Sequence, residues 1–264
     1  MNNDNNNSTL EQCSIHDFDL NMICDYFSTM ERQGPGCDEM TLKALSFIKP
    51  LTAESKVADI GCGTGKQTIV LAQHLPSKVV AIDLFQKFID ILNQNSKGLG
   101  LQEKLTGIVG NMETLPFQEE EYDLLWSEGA IYNIGFQKGI TEWRKFLKKG
   151  GYIAVTEASW FTNERPEEID QFWKDAYPEI DTISNKIHQI ENAGYIPVAT
   201  FILPEYCWIE NFYELQKEAR EIFLSKHKGN PTAEALAANE KHEYDLYRKY
   251  KSYYGYVFYI GKKI

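Results

Sequence analysis

Residues 57–73 read VADIGCGTGKQTIVLAQ. A short apolar run ends in Asp59, glycines follow at 61, 63 and 65, and a helix-forming stretch begins at Lys66. A strand that breaks into a glycine turn and then a helix is the place where open α/β sheets hold nucleotide-like ligands. Glycine lets the backbone turn tightly and approach the ligand closely. The spacing excludes two common versions of this turn. A P-loop needs G-x-x-x-x-G-K-[ST], which GCGTGKQT lacks, and the dinucleotide fingerprint would require Gly or Ala where Lys66 stands.

Outward from this loop the chain alternates short apolar strands with helices. KVADIG is followed by the helix KQTIVLAQHL and the strand KVVAID. Next come the helix FQKFIDILNQNSKGLG and the strands KLTGIVG and EYDLLWS. A helix over KGITEWRKFLKKGG then precedes the strand YIAVTEA. Apolar strands separated by helices predict a parallel sheet covered on both faces. Beyond Glu157 one or two helices precede a sixth strand, YIPVATFIL. About forty mostly helical residues then lead to a closing strand, YGYVFYIGKKI. So long an insertion before the last strand implies a functional role.

Composition narrows the classes. The chain has 264 residues, 43% of them hydrophobic, and a net charge of -11. That charge argues against binding nucleic acid or an anionic membrane surface non-specifically. Five cysteines at 13, 24, 37, 62 and 207 form no C-x-x-C pair, which predicts reduced thiols in a cytoplasm and no zinc site. The five histidines show no ligand spacing, so no metal is expected. No apolar run approaches the ~20 residues of a membrane span. The Asn-rich residues 1–10 are expected to be a disordered tail.

Four ordered segments carry a resemblance to the class I S-adenosylmethionine-dependent methyltransferases, in particular to their small-molecule branch with the ubiquinone/menaquinone C-methyltransferases. They are VADIGCGTG (57–65), VVAIDLF (79–85) with GNMETLPF (110–117), YDLLWSEGAIYNI (122–134), and WRKFLKKGGYIAVTE (143–157). The resemblance implies a Rossmann-like seven-stranded, mostly parallel α/β sheet with an antiparallel last strand and helical cap additions. It implies S-adenosyl-L-methionine as cofactor. Gly61, Gly63 and Gly65 would make room for it, with Asp59 fixing the loop and Asp83 accepting the ribose hydroxyls. Leu84 and Met112 would flank the adenine, Asn111 would read its edge where the family often has Asp, and Ser127 would border the cofactor. Glu128, Tyr132 and Tyr206 are the candidate catalytic groups, Glu128 as a base for the acceptor. Arg32 is a candidate partner for the methionyl carboxylate.

The expected layout is one domain over 1–264. It has an N-terminal cap at 11–37, a cofactor-binding core at 38–205, a helical insertion at 206–250 and the last strand at 251–264. The acceptor is expected to be a small molecule and not nucleic acid, since no N-P-P-Y-type motif follows strand four. Two alternatives stand beside this reading: a nicotinamide-dependent oxidoreductase, and a non-catalytic S-adenosylmethionine-binding module.

Overall fold

The computed structural model describes Ile15 and residues 18–264; the expected tail at 1–10 and Cys13 lie outside the described residues. The sheet is built from β1 (Lys56–Ile60), β2 (Lys78–Asp83), β3 (Leu105–Val109), β4 (Tyr122–Ser127), β5 (Leu147–Trp160), β6 (Asp181–Thr182), β7 (Tyr195–Ile202) and β8 (Tyr254–Lys263). Its order is β3-β2-β1-β4-β5-β8-β7, with two-residue β6 paired to the end of β5. β1 to β5 pair in parallel, whereas β8 lies antiparallel between β5 and β7. The seven long strands and the reversed last one are as the sequence led us to expect.

Strand periodicity explains the two-sided core. Val57, Leu124, Trp126 and Ala154 enter one buried cluster, while their neighbours Ala58, Leu125, Ile153 and Val155 enter the other. Side chains that alternate between faces, all of them apolar, require cover on both sides. Helices α1 (Leu20–Phe27), α2 (Asp38–Ser46), α3 (Lys66–His74), α4 (Gln86–Gly98) and α5 (Phe136–Trp143) precede β5. Helices α6 (Glu167–Ala176), α7 (Ile183–Asn192), α8 (Gln216–Lys226) and α9 (Pro231–Tyr250) follow it.

Two boundaries differ from the sequence reading. The helix expected to run to the glycine pair at 150–151 stops at Trp143, and a single 3-10 turn at 144–146 leads into β5. Fully buried Leu147 pairs with Tyr122 of β4, so strand pairing takes residues whose local sequence favours a helix. β5 also runs on to Trp160, because nine successive residues from Tyr152 pair with β8. Among the described residues no helix is long and apolar enough to cross a membrane.

Chain order reverses beside β1: β2 and β3 lie on one side, and the chain returns to place β4 on the other. A ligand crevice forms outside the strand ends at such a point. Across it the Ser127 hydroxyl donates to the Ile60 carbonyl at 2.7 Å, tying β4 to β1.

Candidate active site

The crevice is one end of a cavity of about 470 Å³. Its floor is the glycine loop. Gly61 and Gly63 take φ of +74° and +56°, a region closed to most L-residues. A Cβ on Gly61 would lie 2.4 Å from Ala130 Cβ and 3.2 Å from Met112 Cε. Gly65 serves a different purpose: it does not line the cavity, and a Cβ there would lie 2.0 Å from Leu92 Cδ1. It lets the start of α3 pack on α4. Asp59 is likewise behind the loop. Its carboxylate, fully buried, accepts from Thr68 Oγ1 at 2.6 Å and Gln67 Nε2 at 3.1 Å, so it braces the turn. Burial raises its carboxyl to about 7 against those two hydrogen bonds.

Asp83 ends β2 at the cavity edge. One of its oxygens accepts from the Gly63 amide at 2.8 Å and the other from the Phe85 amide at 3.0 Å. A carboxylate has about four lone-pair sites, so two remain for a ligand. Burial raises this carboxyl as well. Leu84, 49% exposed, presents an apolar face beside it. Asn111 and half-buried Met112 lie opposite, pinned by the Trp143 indole donating to the Met112 carbonyl at 3.0 Å. The Asn111 carbonyl oxygen already accepts from the Glu113 amide at 2.8 Å, which leaves its amide nitrogen facing outward as a donor. Ser127 is spent on the strand–strand tie and does not line the cavity.

The N-terminal segment closes over this floor. Gln33 Oε1 accepts from the Thr64 amide at 2.8 Å, and its Nε2 donates to Thr64 Oγ1 and to the Met30 carbonyl. Thr64 Oγ1 donates in turn to the Glu31 carbonyl at 2.9 Å. The sequence shows only a turn at RQGPG; that it clamps the glycine loop depends on partners some thirty residues apart.

Glu128 lines the cavity, and its carboxylate accepts three hydrogen bonds. Oε1 accepts from Thr41 Oγ1 at 2.7 Å and Trp126 Nε1 at 2.9 Å, and Oε2 accepts from Arg32 Nη1 at 2.9 Å. The side chains of Glu128 and Arg32 are 2% and 7% exposed. The three donors to Glu128 come from the N-terminal segment, α2 and β4, so the carboxylate ties these elements together at the cavity wall, a placement that fits a positioning group. Arg32 Nη2, buried at the cavity wall, lies 3.7 Å from Asp38 and makes no hydrogen bond. Tyr132 lines the cavity, whereas Tyr206 does not: its hydroxyl is outside, donating to Glu39 at 2.8 Å. A catalytic part for Tyr206 does not fit that placement.

Beyond Gly129 the cavity continues as a chamber walled by the additions to the sheet. α6 contributes Trp173, and Tyr177 follows at its end; the segment after β7 contributes Trp208 and Phe212, and α9 contributes Asn239, Glu240 and Glu243. Trp160 belongs to the core, 3% exposed, with Arg165 over its ring. Tyr247 stacks on Trp208 at 4.4 Å and Tyr244 on Tyr213 at 4.8 Å, seating α9 on the body. Phe85, the last residue of VVAIDLF, packs edge to face on Phe88 at 5.1 Å, and both line the cavity beside Asp83; Phe88 lies outside every quoted segment.

Residues 58–155, from β1 to β5 and so carrying the whole crevice, match the family described as a methyltransferase domain. This core of the chain thus matches a methyltransferase domain. Among curated proteins the chain is similar to a sarcosine/dimethylglycine N-methyltransferase of Aphanothece halophytica. The two are 25% identical over 176 residues, which is 66% of this chain and 58% of the relative. It is also similar to a demethylmenaquinone methyltransferase of Bacteroides fragilis, 26% identical over 44% of this chain and 47% of that protein. The chain thus spans about half the length of the curated relatives it matches. Its fold matches the crystal structure of an S-adenosylmethionine-dependent methyltransferase from Thiobacillus denitrificans in complex with S-adenosyl-L-homocysteine. The TM-score there is 0.80 at 19% identity, over 94% of this chain and all of the other.

Proposed function

We propose that this methyltransferase transfers the methyl group of S-adenosylmethionine to a small-molecule acceptor in the cytoplasm. The observation that carries the reading is the single cavity joining the glycine-loop crevice to the chamber under the helical additions. Such a cavity holds donor and acceptor together away from water.

The residues present fit the cofactor. Asp83 keeps lone pairs for two ribose hydroxyls, Leu84 and Met112 flank an adenine-sized slot, and Asn111 offers its amide donor to a ring nitrogen. The unpartnered Arg32 Nη2 suits the carboxylate of the methionyl end. When bound, S-adenosylmethionine supplies an electrophilic methyl on a sulfonium. Gly61 leaves room for it beside Met112 and Ala130. Glu128 holds Arg32 in place, and through Thr41 and Trp126 it joins the N-terminal segment to the end of β4. Exclusion of water and orientation by these groups supply the rate, without a strong base beside the methyl.

The net charge of -11 and the enclosed chamber support a small molecule as acceptor rather than nucleic acid. A transfer assay with labelled S-adenosylmethionine and fractionated small-molecule extract, read by mass spectrometry, tests the proposal. A product heavier by one methyl in a low-mass fraction supports it. Label confined to protein or RNA fractions would overturn it.

A further inference from the structure

α9 buries a stripe at helical spacing, Ala233, Leu236, Ala237, Leu246, Tyr247 and Tyr250. In the middle of that stripe, where an apolar side chain is the rule, stands Glu240, 4% exposed, with Glu243 one turn on. Both line the chamber. Glu240 accepts from Gln216 Nε2 at 3.3 Å and Glu243 from the Tyr213 hydroxyl at 2.8 Å. Among the described residues no lysine, arginine or histidine makes an ion pair with either. A third carboxylate faces them from β5. Glu157 is 1% exposed, and its Oε1 accepts from Lys186 at 2.8 Å and Tyr177 at 2.6 Å. Its Oε2, buried, has no partner. Tyr256 lines the same cavity, and burial first, then Tyr132 and the three carboxylates, raise its phenol.

Burying a charge without a counter-charge is costly, and evolution ordinarily fills such positions with apolar groups. Here the carboxylates line a cavity to which the rings of Trp173, Tyr177, Trp208, Tyr256 and Tyr132 also contribute, while the one arginine among its lining residues, Arg32, is paired with Glu128. Aromatic faces attract cations, ammonium ions above all. Among the described residues no three His, Cys, Asp or Glu converge as a metal site would require, so an organic cation fits better than a metal ion.

We infer that the chamber seats a small organic amine as its ammonium ion, with Glu240 and Glu243 supplying the counter-charge and the aromatic rings its walls. That this amine is the methyl acceptor, its ammonium proton passing to the Glu240 or Glu243 carboxylate so that the nitrogen lone pair takes the methyl and S-adenosylhomocysteine leaves, rests on the function proposed above. Its binding does not. Burial and Glu243 push the Glu240 carboxyl up to about 8, the direction a neighbouring cation would oppose.

The test is calorimetric titration of the full chain with benzylammonium and piperidinium, and with their neutral counterparts benzyl alcohol and tetrahydropyran, with and without S-adenosylhomocysteine. At least one ammonium is expected to bind tenfold or more tighter than its neutral counterpart. Glu240→Gln and Glu243→Gln should each abolish that preference while leaving S-adenosylhomocysteine affinity within twofold. Glu240→Gln should also raise the melting temperature of the free protein, since glutamine keeps the Gln216 contact without the cost of burying a carboxyl. A purely structural carboxylate would leave the amine preference unmoved. Equal affinity for amine and neutral counterpart, binding of neither, or an amine preference intact in both variants would overturn the inference. Amine binding without any S-adenosylhomocysteine binding would instead overturn the methyltransferase reading and leave the amine site standing.

Discussion

Replacing Glu128 by glutamine separates a positioning role from a base. Glutamine keeps the shape, and its carbonyl can still accept from Thr41 and Trp126, but its amide nitrogen then faces Arg32 Nη1 across what was a 2.9 Å ion pair. Arg32, 7% exposed, is left with only Asp38 at 3.7 Å. Removing one member of a buried pair costs about 3–5 kcal/mol, most of it from stranding the other charge. The lower end applies here because Asp38 offers partial compensation, so we expect a loss of about 3 kcal/mol in urea unfolding followed by circular dichroism. For a chain this size that lowers the melting temperature by about 6–12 °C. Adding Arg32→Met to Glu128→Gln removes the stranded charge and should restore most of the stability, though not cofactor affinity. The reasoning fails if Glu128→Gln costs less than about 1 kcal/mol while turnover collapses at unchanged KM, for that is the behaviour of a base.

Gly65→Ala should destabilise the fold without blocking the crevice. At φ +88° an L-residue is strained by about 1–2 kcal/mol. The new methyl would sit 2.0 Å from Cδ1 of Leu92, a fully buried side chain with nowhere to go, adding about 1–3 kcal/mol. Urea unfolding checks this, and a loss under about 1 kcal/mol would contradict the assigned packing role. Asp59 gives a pH signature. Its folded carboxyl, raised to about 7, holds a proton that the unfolded chain releases near 4. The native state therefore binds more protons between those values, and stability declines as pH rises from about 4 to about 7 before levelling off. Asp59→Asn should flatten that part of the stability–pH curve, and parallel curves for the two proteins would refute the buried-acid reading.

What the sequence made legible was local. The glycine loop, the apolar strands and Asp83 at the end of VVAID are contiguous signals, each set by backbone conformation or by strand periodicity. The second half of the site was hidden because its contacts join distant segments. Arg32 meets Glu128 across 96 positions, and Gln216 reaches Tyr26 across 190. Glu128 stood in the right place, but its type could not reveal the three donors that hold it. In KHEYDLYRKY (241–250) the tyrosines every third residue mark a face that seats the helix, but nothing there marks Glu243, or Glu240 just before it, as lining the cavity. The only available clue was that Glu240 interrupts the stripe of Ala233, Leu236 and Ala237. The strand over 147–160 was cut short for the same reason: its ends are set by partners on β4 and β8, not by its own residues.

The most direct measurement is calorimetric titration with S-adenosylhomocysteine and, separately, NAD, comparing the native chain with Asp83→Ala. The account predicts tight one-to-one binding of S-adenosylhomocysteine and none of NAD. It also predicts at least a tenfold loss of affinity in Asp83→Ala, the order expected when about 1.5–3 kcal/mol of charge-assisted hydrogen bonding disappears, with the fold intact by circular dichroism. Binding of NAD in place of S-adenosylhomocysteine, or an unchanged dissociation constant in a folded Asp83→Ala, would contradict it.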